Sequence, residues 1–176
     1  TYEEFFFFFF KKINVICGRI IGLVIIVPIL LIISVKFGFF YMPINWLILF
    51  SCFIIPFSIF QNILIRKCNN QRFNTYFTLF GLEILVAFLG SNGYVNIYIS
   101  CALIPFISCL YFNRKLTNIV TIYCYIGMLV SLWFKSQTAY LNLIDSPSPF
   151  AYFIAYGAGF TIEYIFVFML TNVITK

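Results

Sequence analysis

The chain has 176 residues, of which 63% are hydrophobic and only 9% charged. A soluble domain carries roughly 25% charged residues, so this composition excludes an ordinary water-soluble globule, and the mean hydropathy of +1.04 makes lipid the solvent for most of the surface. The net charge of +6 does not mark a nucleic-acid partner, because the basic residues fall in short clusters between apolar runs instead of along one helix face.

The first apolar run long enough to span a bilayer covers Ile13 to Phe37, with Pro28 as the expected kink. Residues 1–12 ahead of it, including the run Phe5–Phe10, are expected to form a cytoplasmic N-terminal segment, and residues 13–176 a single transmembrane domain. The second span runs from Ile44 to Ile65 with Pro56 inside it, which neighbouring helices can accommodate. The turn between them, Gly38 to Pro43, is rich in the aromatic residues that favour a membrane interface. After the basic loop Arg66 to Arg72, the third span covers Phe73 to Gly90. Ser91-Asn92-Gly93 is a turn signal, and the fourth span follows from Val95 to Phe112. A second basic loop, Asn113 to Asn118, precedes the fifth span, Ile119 to Phe134. The polar stretch Lys135 to Pro149 leads into the sixth span, Phe150 to Ile174. The expected fold is therefore all-α, a bundle of six transmembrane helices whose main partner is the lipid bilayer.

Lysine and arginine set the orientation. Lys11, Lys12 and Lys176 flank the ends, Arg66, Lys67 and Arg72 fill the second loop, and Arg114 and Lys115 the fourth. The odd-numbered loops hold only Lys36 and Lys135, so even-numbered loops and both termini are expected on the cytoplasmic side of the cell membrane.

The chain has no histidine, which removes Ser-His and Cys-His nucleophile pairs, histidine-ligated haem and H-E-x-x-H metal sites. Its six cysteines contain no C-x-x-C pair and most lie in apolar runs, so neither a disulfide framework nor a zinc site is expected. No phosphate loop is present either, and no catalytic activity or cofactor is expected. Three charged residues fall well inside predicted spans: Arg19, Glu83 and Glu163. Such groups are costly in hydrocarbon and face the bundle interior or a partner. Glu83 lies about 10 Å from the outer end of its span, Arg19 about 9 Å and Glu163 about 16 Å from the cytoplasmic side. One reading makes them an intramembrane ligand site; the plainer one makes them polar glue between helices. Ala151, Ala155, Gly159 and Glu163 share one helix face, which predicts that Glu163 looks at protein, and Gly18 and Gly22 offer Arg19 a similar face. Pairing of Arg19 with Glu163 is the expectation that follows. Gln61 and Asn62, and an outer rim of Tyr94, Asn96, Tyr98, Trp133 and Tyr140, are weaker candidates that interface preference explains as well.

The stretch Asn96-x-Tyr98, Ile104-Pro105 and Leu110-Tyr111-Phe112-Asn113-Arg114-Lys115-Leu116-Thr117 resembles the fourth span and following basic loop of six-span membrane modules in bacterial signalling proteins. Those modules precede diguanylate cyclase or histidine kinase domains, and the resemblance covers roughly the third to sixth spans. It implies a non-catalytic sensory input domain whose last helix feeds a cytoplasmic output domain, through which copies of the chain would form a homo-oligomer. A start at Thr1 and a last span running almost to Lys176 are expected of a segment from a longer chain. A small six-span transporter or substrate-binding component is the alternative, and a lipid-modifying enzyme is disfavoured by the scarcity of acids.

Overall fold

The computed structural model describes residues 2–39, 42–68, 70–92, 98–139 and 148–176, with the backbone alone at 2–6, 98 and 99. Among these residues there are seven helical segments and no strand: α1 (Tyr2–Val24), α2 (Ile26–Lys36), α3 (Ile44–Lys67), α4 (Gln71–Gly90), α5 (Tyr98–Cys109), α6 (Arg114–Ala139) and α7 (Pro149–Ile174). Five stretches are long and apolar enough to cross a membrane: Phe7–Lys36, which joins α1 to α2, and the helices α3, α4, α6 and α7. The expected fourth crossing is the shorter α5, whose 12 residues rise only about 18 Å against a hydrocarbon core of about 30 Å. Large apolar side chains such as Phe37, Ile44, Phe134 and Val173 lie exposed along these helices, while Asn14, Gln61, Asn74 and Glu83 are buried. This inside-out distribution is what a lipid solvent selects.

Boundaries follow local chemistry. Asn70 caps α4, its side-chain oxygen accepting from Phe73 N–H at 3.1 Å, and Asn113 caps α6 through Leu116 N–H at 3.0 Å. Ser148 does the same for α7 through Ala151 N–H at 3.2 Å, with Pro149 in the first turn. Helix runs from Tyr2 straight into the first apolar run. Long aromatic side chains do not stop a helix, and no proline or glycine stands before Gly18. Lys135 does not begin a loop: it lies in the last turns of α6 and is buried.

The chain divides into two compact units, residues 1–81 and 82–176. In the first, Pro28 breaks the long N-terminal helix. Its ring conflicts with the carbonyl four residues back, that of Val24, where α1 ends. Ile25 N–H turns instead to Gly22 O at 3.4 Å, leaving the Ile21 carbonyl without its helical donor. The Ser58 hydroxyl of α3 donates to that carbonyl at 3.3 Å, so a neighbouring helix satisfies the freed group. Gly18 lets α1 approach α3 closely, since a Cβ there would overlap Ile65.

In the second unit α6 and α7 run antiparallel. Arg114 near the start of α6 donates to Asn172 near the end of α7 at 2.7 Å, and Leu132 and Ala139 meet Tyr152 in the core. Gly157 is the buried glycine of α7, facing Leu129 and Leu132. α5 ends in a tight turn at Phe112, whose φ of 47° precedes the Asn113 cap.

Candidate functional site

Two buried polar assemblies stand out, one in each unit. In the first unit Asn14 of α1 donates to Gln71 Oε1 at 3.0 Å and to the Gln71 carbonyl at 3.2 Å, and accepts from Thr75 Oγ1 at 3.0 Å. Gln61 of α3 donates to Thr78 of α4, and the Thr78 hydroxyl donates in turn to the Asn74 carbonyl at 2.6 Å. These bonds tie three helices together as interhelical hydrogen bonds do in a bilayer. Gln61, a weak candidate on sequence grounds, is thus fully buried polar glue. Asn62 turns back along its own helix to Ser58 O at 2.9 Å.

In the second unit the assembly centres on Glu83, which is 1% exposed. Four helices contribute to it. Glu83 projects from α4, the thiols of Cys101 on α5 and Cys124 on α6 lie against its carboxyl, and Tyr164 of α7 is close enough to feel its charge. Gly127 of α6 provides the room: a Cβ there would stand 2.5 Å from Glu83 Oε1 and 3.1 Å from its Cγ. Neither carboxyl oxygen has a regular hydrogen-bond partner among the described residues, and neither does the buried Tyr164 hydroxyl. Tyr164 is held by its neighbours. Its ring centroid lies 5.4 Å from that of Tyr125. The Tyr125 hydroxyl bonds Thr161 Oγ1 at 2.9 Å, and since Thr161 spends its proton on Gly157 O at 2.7 Å, Tyr125 is the donor.

Within this unit, Glu163 does not join the assembly. Glu163 is exposed, and so are Ala155 and Gly159 of the small-residue stripe, with nothing within 4 Å of a Cβ built on Gly159. α7 buries the next face round, through Tyr152, Gly157, Tyr164, Val167 and Thr171. The expectation that Glu163 looks into protein is therefore overturned, and with it the ground for pairing it with Arg19. Arg19 is exposed as well: α3 occupies the Gly18 side of α1, and one residue onward turns the helix by about 100°. Of the proposed outer rim, Trp133 is exposed and stacks edge-on against Phe153 with centroids 5.4 Å apart. Tyr94, Asn96, Tyr140 and the side chain of Tyr98 lie outside the described residues.

Sequence reasoning missed Tyr164, Gly127 and the two thiols. Only the i, i+3 spacing of Cys124 and Gly127 hinted that they share a face. None of the six cysteines is in a disulfide. No group of three or more acidic, thiol or imidazole side chains among the described residues is arranged to hold a metal ion. Comparisons with protein-family models, with curated proteins and with solved structures find no match to this chain.

Proposed function

We propose that this membrane protein is a non-catalytic input domain of a bacterial signalling protein, in which the state of the Glu83 junction is transmitted through α7 to a cytoplasmic output domain. The observation that supports it is a buried carboxyl on α4 with thiols of α5 and α6 against it, and with Tyr164 of α7 within range of its charge. An ionisable group buried at membrane depth is costly and marks function more often than packing. From Tyr164 the helix continues unbroken to Ile174, so a tilt or rotation set at the junction reaches its end. In this reading both termini face the cytoplasm, in keeping with the lysines and arginines at the chain ends and beside the α3–α4 and α5–α6 turns. The output domains would hold copies of the chain together as a homo-oligomer.

The test uses the full-length protein. One residue inserted after Asn172 rotates whatever follows by about 100° and should change output sharply; seven residues make about two turns and should restore most of it. Output indifferent to both insertions, and to Glu83→Gln, refutes the reading.

Transport is the second reading, and one observation favours it: the helix break at Ile25, since discontinuous helices line the binding sites of many carriers. Gradient-driven uptake of a labelled cation or amine into proteoliposomes holding the chain alone would establish transport over signalling.

A further inference from the structure

The unit formed by residues 82–176 contains a buried carboxyl group, Glu83, with no counter-charge beside it among the described residues. Its other charged side chains are accounted for elsewhere. Arg114 and Lys115 open α6 at the exposed surface, Glu163 and Lys176 are exposed, and Asp145 lies outside the described residues. Lys135 is buried, but it stands eight residues along α6 from Gly127, about 12 Å of helix rise, and has interactions of its own. Around Glu83 itself are two thiols, which are weak donors, and a phenol hydroxyl without a partner.

We infer that the Glu83 junction binds a small monovalent cation, held by the two Glu83 carboxylate oxygens and the Tyr164 hydroxyl. This rests on the reading of Glu83 as the input site and names what that site senses. Three features select the ligand class. The unpartnered atoms are all oxygens, hard donors that suit alkali and alkaline-earth ions over soft metals. A single negative charge is neutralised by one positive charge, whereas a divalent ion would leave a net charge buried. The carboxyl is closely packed against α6, since a Cβ on Gly127 would stand only 2.5 Å from Glu83 Oε1. Sodium and lithium fit such a site better than potassium. The cation would draw the α4 carboxyl and the α7 hydroxyl onto one centre, which couples occupancy to the position of α7.

The thermal midpoint of the chain, purified in detergent, is read in sodium, lithium, potassium and choline chloride at equal ionic strength. A saturable rise of about 3 °C or more in sodium over choline is expected at concentrations well above the dissociation constant. Glu83→Gln keeps the shape and removes the charge, and should abolish the difference between salts. Tyr164→Phe removes one of the three oxygen ligands and should weaken the sodium dependence about tenfold. Identical wild-type midpoints in all four salts overturn the site whatever the variants do, and leave the proton as the occupant of Glu83. A sodium effect undiminished in Glu83→Gln overturns it too. The two proposals fail separately. A sodium shift with a full-length output that ignores sodium sinks the input reading and keeps the site. Output that depends on Glu83 without any salt-specific shift sinks the cation and keeps the input reading.

Discussion

Gly127→Ala tests the junction sterically, and its sign depends on Glu83. In the native background the new methyl would stand 2.5 Å from Glu83 Oε1, 3.1 Å from Cγ and 3.2 Å from Cδ, well inside van der Waals contact. Overpacking of this kind costs about 1–3 kcal/mol. Replacing a mid-helix glycine by alanine recovers about 1 kcal/mol of helix propensity, so the net change is a loss of up to about 2 kcal/mol. With Glu83→Ala the obstructing atoms are gone and only the gain of about 1 kcal/mol remains. The same substitution should then destabilise one background and stabilise the other. At about 2–4 °C per kcal/mol for a chain of this size, thermal unfolding followed by the monodisperse fraction in detergent resolves the two signs. A Gly127→Ala shift of the same sign and size in both backgrounds would refute the placement of Glu83 against α6.

In the first unit, Ser58→Ala should cost about 0.6 kcal/mol, the mean for an interhelical hydrogen bond in a membrane, and should cost nothing in a Pro28→Ala background, where Ile25 N–H is free to return to the Ile21 carbonyl. Thermal midpoints of the four variants check this; equal losses in both backgrounds would contradict the repair. Gly81→Ala should destabilise by about 1–3 kcal/mol because the new methyl overlaps the Phe57 ring, and Phe57→Leu should relieve most of that loss in the same assay. For orientation, single cysteines at Lys67 and Lys115, in a background with Cys52 and Cys68 replaced by serine, should resist a membrane-impermeant maleimide in intact cells, and one at Ser146 should react. Labelling at Lys115 from outside would place α5 as a non-crossing segment.

The helices were legible because roughly 20-residue apolar runs have few alternatives in lipid, and the capping residues Asn70, Asn113 and Ser148 sit where polarity returns. What polarity cannot convey is which way a residue faces. The polar run from Lys135 to Thr138 reads as the end of a span, yet α6 carries it on to Ala139 because Lys135 and Ser136 turn inward. α7 is apolar on nearly every side, so its small residues outline two possible packing faces, and packing chose Gly157 over Gly159. Glu163 and Tyr164 exchanged roles for that reason: adjacent in the chain, they lie about 100° apart on the helix. Glu83 was legible because a carboxyl has few permissible surroundings at that depth. Its companions were not, since Cys, Gly and Tyr are common in apolar helices without any site.

The proposed site requires Glu83 and Tyr164 to act as one unit. A double-mutant cycle with Glu83→Gln and Tyr164→Phe, read as thermal stability of the detergent-purified chain in sodium chloride, measures that directly. Groups joined at one centre should couple by at least about 0.5 kcal/mol, so that the double variant loses less than the sum of the single losses. Strict additivity would mean that the carboxyl and the hydroxyl do not communicate, and α7 would then have no part in what Glu83 binds.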